Sequence, residues 1–196
     1  MRLVLLTCLV AALAGCAGGQ DKPNAAELDA MYRSGLDRFD AGDYRTALRR
    51  FQVVRELDPK KPGLQHHLGI CYAKVGLETF AVESLREAVK QDPKNRDVKL
   101  DLAVALEMSK SPNEAEGVYL ELLQDKPEDA RVVLNLGLLY VQRLNEPEKG
   151  REQLQRYLEL EPQGPEADEI RAWLEKDLKS DSEDTPPIKP VPHVKG

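Results

Sequence analysis

Aromatic residues make up only 5% of this 196-residue chain, and histidine and cysteine occur three times each. The aromatic shortage, beside abundant Leu, Ala and Glu, disfavours a β-sandwich filled by Tyr, Trp and Val. It favours helices that pack small side chains against large ones. An excess of positive charge is also lacking: 28 Lys and Arg stand against 34 Asp and Glu, a net charge of −6. A duplex-binding surface needs clustered cations to release counterions from phosphates, so nucleic acid is excluded as a partner. Attachment to anionic lipid through a polybasic patch is excluded for the same reason. The 13 Gly and 13 Pro are too few for a low-complexity chain, and the length fits one domain or one short repeat array.

Long apolar runs are absent as well, with one short exception at the N-terminus. Arg2 precedes Leu3-Val4-Leu5-Leu6-Thr7-Cys8-Leu9-Val10-Ala11-Ala12-Leu13 and then small residues. A positive start, about a dozen apolar positions and a small-residue stretch make a signal peptide over residues 1–15. The run is well short of the ~20 residues that span a bilayer. Leu13-Ala14-Gly15-Cys16 resembles the lipobox of bacterial lipoproteins, whose precursor is cut before the Cys. The resemblance implies diacylglycerol on the Cys16 thiol, the nucleophile of that reaction, and acyl chains that anchor the protein without spanning the membrane. Ala17 stands where an Asp retains such lipoproteins at the inner membrane, which implies the periplasmic face of the outer membrane. Residues 16–27, with Gly18, Gly19 and Pro23, read as a lipidated N-terminus and flexible tether. Cys8 leaves with the signal and Cys16 is acylated, so Cys71 keeps a lone thiol and is read as a small buried hydrophobe.

The strongest signal is a period. Asp58-Pro59, Asp92-Pro93 and Lys126-Pro127 recur every 34 residues, and Glu161-Pro162 follows after 35. In register, Gly35, Gly69, Ala103 and Gly137 align, as do Ala47, Ala81, Ala115 and Gly150. Between them fall large residues such as Phe51, Leu85, Tyr119 and Leu154. The pattern resembles the tetratricopeptide repeat, a pair of antiparallel helices closed by a Pro turn. It implies an all-α fold, a right-handed α-solenoid of four repeats over 28–61, 62–95, 96–129 and 130–164. The small residues let helix A lie close to helix B, and each Pro pushes the preceding residue out of the helical region. Met31, Gln65, Lys99 and Val133 replace the Trp common in this family, and one extra residue near Asn145-Glu146-Pro147 lengthens the fourth turn. Gly150 costs its helix about 1 kcal/mol in propensity, which predicts that the fourth unit is the softest.

An array of this kind needs a cap over its last apolar surface. Residues 165–179 supply one, with Ile170, Trp173, Leu174 and Leu178 on one stripe and Glu169, Arg171, Glu175 and Lys176 outside it. Residues 180–196, acidic and then Pro-rich, lack periodicity and read as a disordered tail.

Catalytic and cofactor signals are missing. His66, His67 and Cys71 are the only cluster of metal-capable atoms, and two ligands on one helix face are too few for a site. No His-Glu-x-x-His and no phosphate-cradling Gly loop occurs, so the chain reads as a non-enzyme with no cofactor and no metal. The family resemblance implies instead a concave groove lined by the A helices. Its positions here are Tyr32, Leu36 and Phe39, then His66, Ile70 and Ala73, then Leu100, Val104 and Glu107, and finally Leu134, Leu138 and Val141. Most are apolar, which suits an apolar or amphipathic segment of another envelope protein. The rival reading is that the cap, or the chain before Leu28, covers the strip. The lipobox together with the repeats is similar to the pilotins of type IV pilus systems, which help secretins assemble. This implies a protein-binding adaptor in envelope assembly, with outer-membrane protein insertion or cell-wall synthesis as alternative settings and an enzyme subunit or metal carrier as the rival of a different class.

Overall fold

The computed structural model describes residues 23–177 together with 189 and 190. The expected signal peptide, Cys16, most of the tether, residues 178–179 of the cap and nearly all of the tail lie outside the described residues. Among the described residues the chain is all-α: α1 (Ala25–Asp40), α2 (Tyr44–Leu57), α3 (Leu64–Lys74), α4 (Glu78–Gln91), α5 (Arg96–Met108), α6 (Pro112–Asp125), α7 (Ala130–Gln142), α8 (Pro147–Leu160) and α9 (Ala167–Asp177). Each helix packs on its sequence neighbours. The A helices α3, α5 and α7 also touch one another in turn, with no comparable contact between B helices, so the array bends toward its A side.

The ends of the helices follow from the residues that stop them. Asp58, Asp92, Lys126 and Glu161, each before a Pro, all cap their helix with φ between −140° and −132° and ψ between 69° and 91°. That is the extended region to which a following pyrrolidine ring confines a residue, repeated at every unit. The turns from A to B are equally regular. Gly42, Gly76 and Lys110 occupy one register position with φ of 73°, 80° and 62°. Just beyond, the amides of Asp43, Leu77 and Ser111 bond the carbonyls of Arg38, Tyr72 and Leu106 five residues back. In the fourth repeat Asn145 takes the left-handed position, and the Glu146 amide reaches Tyr140, six residues back. The extra residue is absorbed there, and α7 and α8, which it joins, still form an antiparallel pair like the others.

The A–B crossings are as close as the small residues allow. A Cβ at Gly69 would sit 2.5 Å from Leu85 Cγ, and one at Gly137 2.9 Å from Leu154. Gly150, which propensity alone marks as a weak point, lies at such a crossing. A Cβ there would be 2.2 Å from Val141 Cγ2 and 3.0 Å from the Gly137 carbonyl oxygen. The missing side chain is therefore what allows α8 to reach α7.

One apolar core runs through the first three repeats and into α7, from Phe39 and Phe51 to Leu136 and Leu139. A second gathers Val133, Leu134, Leu138, Leu154 and Tyr157 with Ile170, Trp173 and Leu174 of α9. Helix α9 packs on α8 and closes the apolar end of the array. The Tyr157 hydroxyl donates to Glu166 at 2.7 Å, and the Arg171 guanidinium donates to the Pro162 carbonyl.

Two stability measurements test this packing. Gly150→Ala should lose about 1–3 kcal/mol in urea unfolding although it improves helix propensity, because overpacking at the crossing outweighs it. Leu138→Asp should cost more than about 3 kcal/mol, because an unpaired carboxylate would enter the fully buried second core. The same change at half-buried Leu36 should cost far less.

Candidate functional site

The A side of the array carries all of the residues assigned to the groove, but few of them are open. Phe39 is 7% exposed, Ile70 6%, Leu100 2%, Val104 9%, Leu134 1% and Leu138 0%. The expectation of a continuous exposed apolar strip is corrected accordingly. Neighbouring A helices lie in contact, so each shields the groove positions of the next, and Leu134 and Leu138 share their core with α9. Tyr32, Leu36, His66, Ala73 and Val141 stay half-buried. The accessible face is thus densest at α1 and α3, with Val141 alone near the far end.

The N-terminal part of this face is aromatic. His67 sits among Tyr32, Phe39 and Phe51, with ring centroids 5.9, 5.2 and 5.6 Å away. Its Nδ1 lies 2.7 Å from the Gly63 carbonyl and 3.1 Å from the Tyr32 hydroxyl. Burial in this cage pulls the His67 pKa below its ordinary value. Cys71, one turn on, is fully buried and its thiol is pushed up to about 12 by desolvation, which makes it an inert packing group. No group of three or more His, Cys, Asp or Glu side chains among the described residues is placed to hold a metal.

A polar line through the middle of the A side was not read from the sequence. His66 Nε2 lies 2.7 Å from Asp101 Oδ2, joining α3 to α5. Asn135, 0% exposed, hydrogen-bonds the Tyr119 hydroxyl, which donates to Glu107 Oε1 at 2.5 Å. Asp101 and Glu107 are each 4% exposed. The available signal was register: Asp101 and Asn135 are 34 residues apart, at one position of successive repeats, each flanked by leucines. Two polar residues recurring inside an apolar face mark a buried network, because neither could be buried there alone without losing its hydrogen bonds.

Burial raises the Glu107 carboxyl from 4.5 to about 7, against smaller opposing effects of the Tyr119 hydrogen bond and the Arg143 charge. The folded protein therefore holds this proton between pH 4.5 and about 7, where the unfolded chain has released it. Its contribution to stability is largest below that window and falls as pH rises through it, by on the order of 2–3 kcal/mol. Glu107→Gln keeps an acceptor for Tyr119 and removes the titration. Relative to the parent, this variant should gain stability between pH 5 and pH 8 by that margin, measured by urea unfolding at both.

Comparison with known proteins agrees with this architecture. Tetratricopeptide repeat profiles match residues 29–61, 81–132 and 111–168, together more than half of the chain. The type IV pilus assembly protein PilF of Pseudomonas aeruginosa is 28% identical over 174 residues, covering 84% of this chain and 69% of PilF. The solved structure of that protein superposes with a TM-score of 0.65 at 27% identity, over 78% of this chain and 69% of its own. YrrB, described as a tetratricopeptide protein with an unusual peptide-binding site, gives a TM-score of 0.69 at 18% identity, over 78% of this chain and 76% of its own, a likeness of fold. The 34-residue period, the helix pairs it builds and these matches lead to one assignment: the chain belongs to the tetratricopeptide repeat family.

Proposed function

We propose that this protein is a non-enzymatic adaptor of the bacterial envelope. It is held at the periplasmic face of the outer membrane by lipid on Cys16, and it binds an apolar or amphipathic segment of another envelope protein. The process proposed is assembly of the type IV pilus or of its secretin, supported by the similarity to PilF and by the lipobox-like Leu13-Ala14-Gly15-Cys16.

The observation that carries the reading is the partly open aromatic and aliphatic face at α1 and α3. There Tyr32, Leu36, His66 and Ala73 are half-buried. Half-buried apolar side chains on fixed helices cost little further ordering when a partner covers them, so such a face favours recognition of an extended or helical segment. Leu134 and Leu138 lie inside the second core and take no part in it.

In-cell photo-crosslinking from Leu36 tests the proposal, with mass spectrometry of the trapped species and Cys16→Ala as the control. A single pilus or secretin subunit, lost when lipidation is blocked, is the expected result. Capture of an outer-membrane insertion or cell-wall subunit would move the adaptor to that process. Crosslinks confined to the chain itself would overturn the binding role of this face.

A further inference from the structure

The internal register exposes a difference between repeats that the adaptor reading does not use. In the third repeat the first, fourth, twenty-sixth and thirtieth positions are Arg96, Lys99, Glu121 and Asp125. They pair across the two helices: Arg96 with Asp125 at 3.2 Å and Lys99 with Glu121 at 2.6 Å. This face fronts the turn of the preceding repeat, and a cleft there is lined by Pro93 and Lys94 together with Arg96, Lys99 and Glu121. The second repeat is polar at three of the four positions, with Gln65, Glu87 and Gln91. In the first repeat the same four positions are Leu28, Met31, Val53 and Leu57. The ion-paired square has become an apolar one, and no described residue of a preceding repeat stands in front of it. Met31 is 38% exposed, Val53 45% and Leu57 41%.

Size and position together select what covers this patch. The exposed apolar area of the three side chains is on the order of 200–300 Å², against about 800 Å² contributed by each partner in a stable protein interface. A free-standing dimer is therefore not what it is built for. Leu28 lies in the first turn of α1 and Leu57 at the end of α2, so the patch sits at the end of the array where the tether enters. Eight residues, Ala17–Asn24, separate Cys16 from α1, a reach of at most about 30 Å. A small apolar patch held this close to a bilayer meets it at high effective concentration, so weak burial at the headgroup boundary suffices.

We propose that Leu28, Met31, Val53 and Leu57 form a lipid-contacting face that seats the first repeat on the bilayer and fixes the orientation of the array. The inference rests on the reading of Cys16 as the anchor. Seated this way, the array has one defined end at the membrane.

The test uses the full-length lipidated protein in vesicles of phosphatidylethanolamine and phosphatidylglycerol. An environment-sensitive fluorophore is placed at Val53→Cys or Leu57→Cys, with Glu121→Cys as the register-matched control. Brominated lipids should quench the probes at 53 and 57 several-fold more than the probe at 121. Equal quenching at all three, with the protein still sedimenting with vesicles, would overturn the lipid face and leave the anchor standing. Failure to sediment would remove the anchor and this proposal with it. Disulfide-linked dimers of the unlabelled Val53→Cys variant on the same vesicles would overturn it in favour of a second copy of the chain.

Discussion

The close approach of helix A to helix B is the constraint on which the rest of this structure depends. Wherever Gly stands at the eighth position of a repeat, the ring or branched chain of its own B helix occupies the space of the missing Cβ: Phe51 over Gly35, Leu85 over Gly69 and Leu154 over Gly137. The third repeat meets the same geometry with Ala103 and Tyr119, both fully buried. Because every pair is drawn together at the same point, successive pairs stack with the same offset, and a sequence period becomes a bent array. The Pro turns keep that offset by ending each B helix at the same phase.

Bending brings the A helices into contact, and this has two consequences. It closes most of the groove positions, since a side chain facing inward meets the next A helix before it meets solvent. It also gathers polar groups into the interior, where they must satisfy one another. Tyr119 bonds both Glu107 and Asn135, and His66 bonds Asp101, so the middle of the array is joined by hydrogen bonds between helices of different repeats. An apolar core specifies volume, whereas such bonds also specify which helix sits beside which. The A side stays partly open chiefly at α1 and α3.

The two ends of the solenoid are finished differently. At the C-terminal end α9 contributes Ile170, Trp173 and Leu174 to an apolar core, and side-chain bonds from Tyr157 and Arg171 tie its approach to the last repeat. At the N-terminal end Asn24 and Glu27 form a reciprocal capping box that starts α1 cleanly, while the apolar square of the first repeat stays uncovered among the described residues. One end is closed by the chain's own residues. The other presents apolar surface at the start of α1 and the end of α2.

The sequence by itself determined the repeat, its phase and its helix pairs. Period, Pro placement and the alternation of small and large residues are local facts, and each acts within about one turn of where it is written. Cys71 as a packing residue and the longer turn at Asn145 were legible for the same reason. The tertiary structure alone decided which groove positions are open, why Gly150 is required and how Asp101, Glu107 and Asn135 are satisfied. Those properties depend on the distance between helices of different repeats. That distance is set by the sum of many side-chain contacts along the array, and no single stretch of sequence records it.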